Sequence, residues 1–82
     1  MSNRDEVRSV VYKCVAETFT FPIDELNDSM NAADIGGWDS ISTSYLLLNL
    51  EEAFDAEFPV DQLIECENLG SMTDLITKTL HG

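Results

Sequence analysis

The residues that offer chemistry lie in one short run, Gly36-Gly37-Trp38-Asp39-Ser40-Ile41, where a flexible turn enters a strongly apolar segment. Glycines let the backbone turn with positive φ, and Asp39 or Ser40 can accept hydrogen bonds from the orphan N–H groups of a helix's first turn. A Ser40 hydroxyl placed there stands at a positive helix end, where backbone donors and the helix dipole favour a phosphate. The same residues also read as a plain N-cap, and on local grounds that is the commoner use of a serine before an apolar run. Hydrolysis by a serine nucleophile is a poorer reading. There is no Gly-x-Ser-x-Gly elbow, and the one histidine, His81, stands beside the C-terminus with no base in a useful place. Asp24, Asp28 and Asp34 lack the spacing and central glycine of an EF-hand loop and read as a solvated acidic loop. Cys14 and Cys66 have no histidine between them, so no zinc site, and no metal site of any kind, is expected. Cys14 falls on an apolar stripe and reads as core, whereas Cys66 reads as exposed and weakly reactive, with nothing local to lower its pKa.

Those residues need a frame. Val7, Val10, Val11, Cys14 and Val15 share one helical stripe, which predicts a first helix of about four turns with Asp5, Glu6, Arg8, Lys13 and Glu17 on its polar side. From Thr18 to Asp39 the periodicity breaks, and Pro22, Asn27, Asp28, Asn31, Gly36 and Gly37 supply turn chemistry. A connection of that length in a compact domain needs anchors, and Phe19, Phe21, Ile23, Leu26, Met30 and Ile35 are expected to tie it to the bundle. The segment from Ser40 to about Ala56 is the richest in apolar residues and is expected to form the central helix. Pro59 disfavours helix at Phe58, after which Val60, Leu63 and Ile64 suggest one or two short turns. Gly70 is expected to close that piece and Ser71 to cap a last helix, with Asp74 three residues on and Met72, Leu75, Ile76, Thr79 and Leu80 at helical spacing. The expected fold class is all-α: a single domain over residues 1–82, a small helical bundle of three main helices plus a short extra helix, with a long loop between helices one and two. Along helix two, Thr43, Leu46, Leu47, Leu50 and Phe54 read as core. Ile41, Tyr45, Leu48 and Glu52 form a second stripe that begins one residue beyond Ser40.

Composition narrows the function classes. A chain of 82 residues buries only ~60% of its unfolded surface, and a core that small leaves little room for a deep catalytic cleft. Sixteen acidic residues stand against four basic ones, Arg4, Arg8, Lys13 and Lys78, so residues 14–77 carry no lysine or arginine. Such a field repels nucleic acid and anionic membranes and favours encounter with Lys/Arg-rich protein faces, although acidity also serves plain solubility. Two cysteines make no disulfide framework, which points to a reducing, cytoplasmic setting. The N-terminus enters an amphipathic stretch directly, and no apolar run is long enough to span a bilayer, so neither export nor anchoring is expected. A monomer is expected.

Gly37-Trp38-Asp39-Ser40-Ile41, followed by Leu46-Leu47-Leu48-Asn49-Leu50-Glu51-Glu52-Ala53-Phe54, resembles the Asp-Ser-Leu attachment motif and second helix of acyl and peptidyl carrier proteins. The resemblance extends over nearly the whole chain, taking in the acidic balance, the long first loop, the exit from helix two at Phe54, Phe58 and Pro59, and the last amphipathic helix. It implies that Ser40 accepts 4′-phosphopantetheine, transferred from coenzyme A by a separate magnesium-dependent phosphopantetheinyl transferase. The arm's thiol would then hold acyl, aminoacyl or polyketide intermediates as thioesters, delivered between partner enzymes. Asp39 would orient the site and meet the transferase's basic face, and neither residue would perform a reaction unaided, so the chain would not be an enzyme. In that family the matching stripe stays exposed, so Ile41, Tyr45 and Leu48, with Glu51 and Glu52, would dock acyl- or aminoacyl-loading and transferring enzymes with basic faces. With no flanking catalytic domains in the sequence, a discrete carrier is expected. Ser42 where an acid is common, Ser44 where an apolar residue is common and Tyr45 where a glutamate is common point away from primary fatty-acid synthesis to a specialised carrier. The rival reading is a small acidic helical adaptor that binds a basic partner without a prosthetic group.

A net charge of −12 on so small a body repels itself. The thermal midpoint is therefore expected to rise from dilute buffer to moderate salt or millimolar divalent cation. A flat or falling midpoint across an ionic-strength series would show the charges to be compensated locally.

Overall fold

Four helices and one 3-10 turn follow from this pattern in the computed structural model, which describes residues 3–31, 33–36 and 38–81, with Ser40 in its backbone alone. In chain order they are α1 (Arg4–Phe19), the 3-10 turn (Ile23–Glu25), α2 (Ser40–Phe54), α3 (Val60–Glu65) and α4 (Leu69–His81); the described residues contain no strand. Asn3 starts α1 by accepting the Glu6 N–H at 2.9 Å, with Asp5 and Glu6 in the first turn where the helix dipole favours acids. The helix ends at Thr20 in the left-handed region, φ 52°, where the amides of Thr20 and Phe21 both turn back to the Ala16 carbonyl. Val7, Val11, Cys14 and Val15 are buried as their spacing predicts.

The central position belongs to α1, not to α2 as its apolar richness suggested. α1 packs on both α2 and α4, while α2 packs on α1 and α3. The reason is that much of α2's apolar surface never enters the core: Leu46 and Leu50 are buried, but Ile41, Tyr45 and Leu48 face outwards. α2 also ends at Phe54, short of the expected Ala56. Asp55 adopts the left-handed conformation, φ 51°, and the Asp55 and Ala56 amides close on the Glu51 carbonyl.

The loop between α1 and α2 is anchored by Leu26 and Ile35, both buried, each contributing roughly 1.5–3 kcal/mol by leaving water. Phe19, Phe21 and Met30 pack half-buried against the same core. Ile23 departs from expectation, since it opens the 3-10 turn beside Asp24 and Glu25 and stays 45% exposed. Asx turns stitch the remainder. Asn27 Oδ1 accepts from the Ser29 amide and hydroxyl, and Asn31 Oδ1 accepts from the Ala33 and Asp34 amides.

Polar contacts gather at Asp28. Its carboxylate accepts the Tyr12 hydroxyl and Arg4 Nη2 at 3.3 Å, with Arg8 Nη1 at 3.9 Å, while Arg4 Nε reaches on to Asp74 at 2.6 Å. Its carbonyl accepts the Gly70 N–H at 2.9 Å, and the Met30 carbonyl accepts the Leu69 N–H at 3.0 Å. These bonds correct the expected start of α4. Gly70 does not close the preceding piece but lies inside the first turn, and the cap is Asn68 rather than Ser71, its Oδ1 accepting the Ser71 N–H at 2.8 Å. The orphan N–H groups of Leu69 and Gly70 are satisfied by loop carbonyls, a partner that no local sequence pattern specifies. A Cβ on Gly70 would lie 3.1 Å from Asp28 Cβ and 3.2 Å from its carbonyl oxygen, so glycine permits the approach.

The Tyr12 hydroxyl, with help from Arg4, holds the Asp28 carboxyl below its ordinary range, while burial first and Asp28 second push Tyr12 up to about 12. A depressed carboxyl contributes stability above its unfolded pKa that is lost as pH falls through the folded value. A raised phenol contributes stability below pH ~10 that is lost as pH climbs towards 12. Tyr12→Phe is expected to cost about 1 kcal/mol near neutrality, to move the acid unfolding midpoint upwards and to converge with wild type between pH ~10 and ~12. Urea melts across the pH range check it, and a pH-independent gap would exclude the coupling.

Candidate functional site

The turn entering α2 is held from behind by Trp38. Its ring stacks on Phe19 with centroids 4.9 Å apart and 22° between planes, and its Nε1–H donates to Thr43 Oγ1 at 2.9 Å. Thr43, one turn into α2, is buried, and its hydroxyl donates to the Asp39 carbonyl at 2.8 Å. Asp39 is the N-cap: extended in backbone, it accepts the Ser42 N–H on Oδ1 at 2.8 Å. That bond is the main reason its carboxyl lies below the usual range. The helix therefore begins at Ser40, between exposed Asp39 and exposed Ile41. Gly37 and the Ser40 hydroxyl lie outside the described residues. Spacing alone assigned Thr43 to the core; its role as the partner of Trp38 was beyond reach because nothing in the chain shows where an indole N–H will point.

Beyond Ser40 the second stripe of α2 lies open. Ile41 is 68% exposed, Tyr45 62% and Leu48 57%, with Glu52 exposed below them. Glu51 is half-buried and already occupied, its carboxylate accepting the Phe58 N–H at 3.0 Å, which closes the turn from α2 towards α3. The sequence reading did not include Ile64, 55% exposed, or Val60, 37% exposed, which extend the open apolar surface onto α3. Their spacing of four residues, which puts both on one side of a short helix, was the available signal.

The remaining candidates separate. Cys14 is buried and Cys66 half-buried, and neither is bridged. Burial first, then Glu17 or Glu65 respectively, pushes each thiol up, away from a reactive thiolate. The Cys66 thiol donates to the Gln62 carbonyl at 3.4 Å. Asp28 is committed to Tyr12, Arg4 and Arg8, far from calcium duty. Among the described residues no group of three His, Cys, Asp or Glu side chains is placed to hold a metal, and no helix is long and apolar enough to cross a membrane.

A helical bundle whose second helix opens on a capped serine turn is the architecture of a carrier domain. The family profile described as phosphopantetheine attachment site matches residues 9–76, and the chain belongs to that family as a phosphopantetheine carrier protein. Members carry a covalently attached 4′-phosphopantetheine. No curated protein sequence matches the chain. Among solved structures, the NMR structure of the HMG-ACPI domain from the CurA module of Lyngbya majuscula is similar, with a TM-score of 0.79 at 19% identity over 95% of this chain and 78% of that one. At that identity the likeness concerns the fold.

The residues at the start of α2 fit such a group. A serine hydroxyl is the group that a phosphodiester requires, and a helix N-terminus favours its negative charge.

Thr43→Val keeps shape but leaves the half-buried Trp38 N–H without its acceptor. It is expected to cost about 1 kcal/mol and to shift the emission of Trp38, the sole tryptophan, whereas Thr43→Ser stays near wild type. Unchanged emission in Thr43→Val would remove Thr43 as the indole's anchor.

Proposed function

We propose that Ser40 bears the phosphopantetheine arm and that the chain carries acyl or related intermediates between partner enzymes without catalysing a reaction itself. When bound, the arm supplies a terminal thiol that holds cargo as a thioester. The observation that carries this reading is that α2 begins at Ser40, immediately after a cap made by Asp39 and a turn braced by Trp38, inside the segment matched by the family. Asp39 orients the turn through the Ser42 N–H, and its exposed carboxylate presents negative charge to the transferase's basic face.

The exposed stripe of Ile41, Tyr45 and Leu48, with Glu52 and the outer edge of Glu51, supports docking of loading and transferring enzymes through an apolar centre and a basic rim. Tyr45 in mid-stripe suits a pocket capable of apolar or cation–π contact, as a specialised carrier served by dedicated enzymes requires. The unbridged thiols agree with a reducing compartment, and the carrier acts there as a monomer.

Incubation with coenzyme A, magnesium and a broad-specificity phosphopantetheinyl transferase is expected to add one arm to the wild-type chain, read as intact mass. Ser40→Ala is expected to fold and to stay unmodified, because the helix cap is Asp39 and remains in place whereas the acceptor oxygen has no substitute. Loading of Ser40→Ala at another residue would reject the site. An unmodified wild type beside a modified control carrier would favour the acidic adaptor instead.

A further inference from the structure

Two consecutive residues lead into α2, and both are tied to the same side chain. Trp38 donates its Nε1–H to Thr43 Oγ1 at 2.9 Å, and the Thr43 hydroxyl in turn donates to the Asp39 carbonyl at 2.8 Å. The two roles agree, since a hydroxyl has one hydrogen to give and lone pairs to receive. The Asp39 carbonyl also accepts the Thr43 N–H at 2.8 Å. Because Trp38 and Asp39 are neighbours in the chain, these bonds close a circuit that runs from indole to hydroxyl to carbonyl and back along the main chain. Ser40 is the residue directly after it.

Capping alone needs one side-chain oxygen, and Asp39 supplies it to the Ser42 N–H. The bond from Trp38 to Thr43 adds something different. It ties the turn before Ser40 to a residue only 6% exposed in the core, while the indole stacks on Phe19, the last residue of α1. A helix start held by its cap alone opens locally at little cost, whereas one tied to the core and to a second helix keeps a single direction.

Resting on the carrier reading above, we propose that Thr43 and Trp38 are positioning residues for attachment of the arm. They hold the Ser40 turn in the arrangement that the transferase accepts, Thr43 directly and Trp38 through Thr43. The transferase thus meets a turn that needs no ordering on binding.

When only a fraction of the carrier holds the competent turn, the apparent KM rises by the inverse of that fraction and kcat at saturation is kept. A variant that is merely less stable but still folded moves neither. Initial rates of arm transfer from coenzyme A by a broad-specificity transferase with magnesium are measured against carrier concentration. Thr43→Val keeps the shape and removes the hydroxyl, and is expected to raise the KM for the carrier roughly tenfold with kcat nearly unchanged. Trp38→Phe keeps a ring on Phe19 and removes the N–H. It is expected to raise KM about threefold, and to add nothing when combined with Thr43→Val. Thr43→Ser restores the hydroxyl and is expected to bring KM back to wild type.

Hydrogen exchange on the unloaded chain reads the same opening without an enzyme, and the Ser42 amide is expected to exchange roughly tenfold faster in Thr43→Val. A folded Thr43→Val with wild-type KM, or with wild-type exchange at Ser42, overturns the proposal. A Trp38→Phe that matches wild type, or whose effect adds to that of Thr43→Val, overturns the part assigned to Trp38. Should Thr43→Val not fold, Trp38→Phe decides: a raised KM supports the proposal and an unchanged one rejects it. A wild-type chain that takes no arm beside a loaded control carrier rejects the carrier reading, an outcome distinct from all of these.

Discussion

Asp28 accepts the Tyr12 hydroxyl and the Arg4 and Arg8 guanidinium groups on its carboxylate, and gives its carbonyl to the Gly70 N–H. One loop residue thereby joins α1, the loop and the start of α4. A segment this long carries a large conformational entropy, and Leu26 and Ile35 alone fix it at two points. The Asp28 junction adds direction to that anchoring. It sets where the loop runs over α4, and the loop sets where α2 can begin. The position of Ser40 thus depends on contacts made twelve residues earlier in the chain and across the bundle.

The two basic residues in this junction explain part of the charge pattern. Arg4 and Arg8 are among four cations in the chain, and both turn inwards to Asp28, with Arg4 also on Asp74. These two charges serve the side that closes the loop, while Lys13 lies in the groove with Glu52 between α1 and α2. The α2 and α3 side is left with Glu52, Asp61 and Glu65 exposed around Ile41, Tyr45, Leu48 and Ile64. That asymmetry leaves the outer face of α2 and α3 apolar and acidic, while the face towards the loop makes the internal ion pairs.

Rigidity and openness are divided in the same way at α2. Its inner face places Thr43, Leu46 and Leu50 in the core, and its N-terminus is held by Asp39 and Trp38. Its outer face has no covering element among the described residues. Fixing the helix while leaving one face open allows a partner to find a preformed surface, which lowers the ordering cost of a brief encounter.

The Asp39-Ser40 turn, the three long helices and the inner and outer stripes of α2 were legible in the sequence because they are local or periodic properties: a cap is satisfied within three residues, and a helix face repeats within four. The open state of Ile41, Tyr45 and Leu48 was legible only with the family resemblance, since spacing alone fits burial equally well. Tertiary structure decided the rest. It made α1 rather than α2 the shared helix, put Gly70 inside α4 beneath the Asp28 carbonyl, moved the cap to Asn68 and tied Trp38 to Thr43. Each of these depends on which groups meet across the bundle. Such meetings follow from the joint packing of distant segments, and no window of sequence contains both partners together with the geometry that selects them.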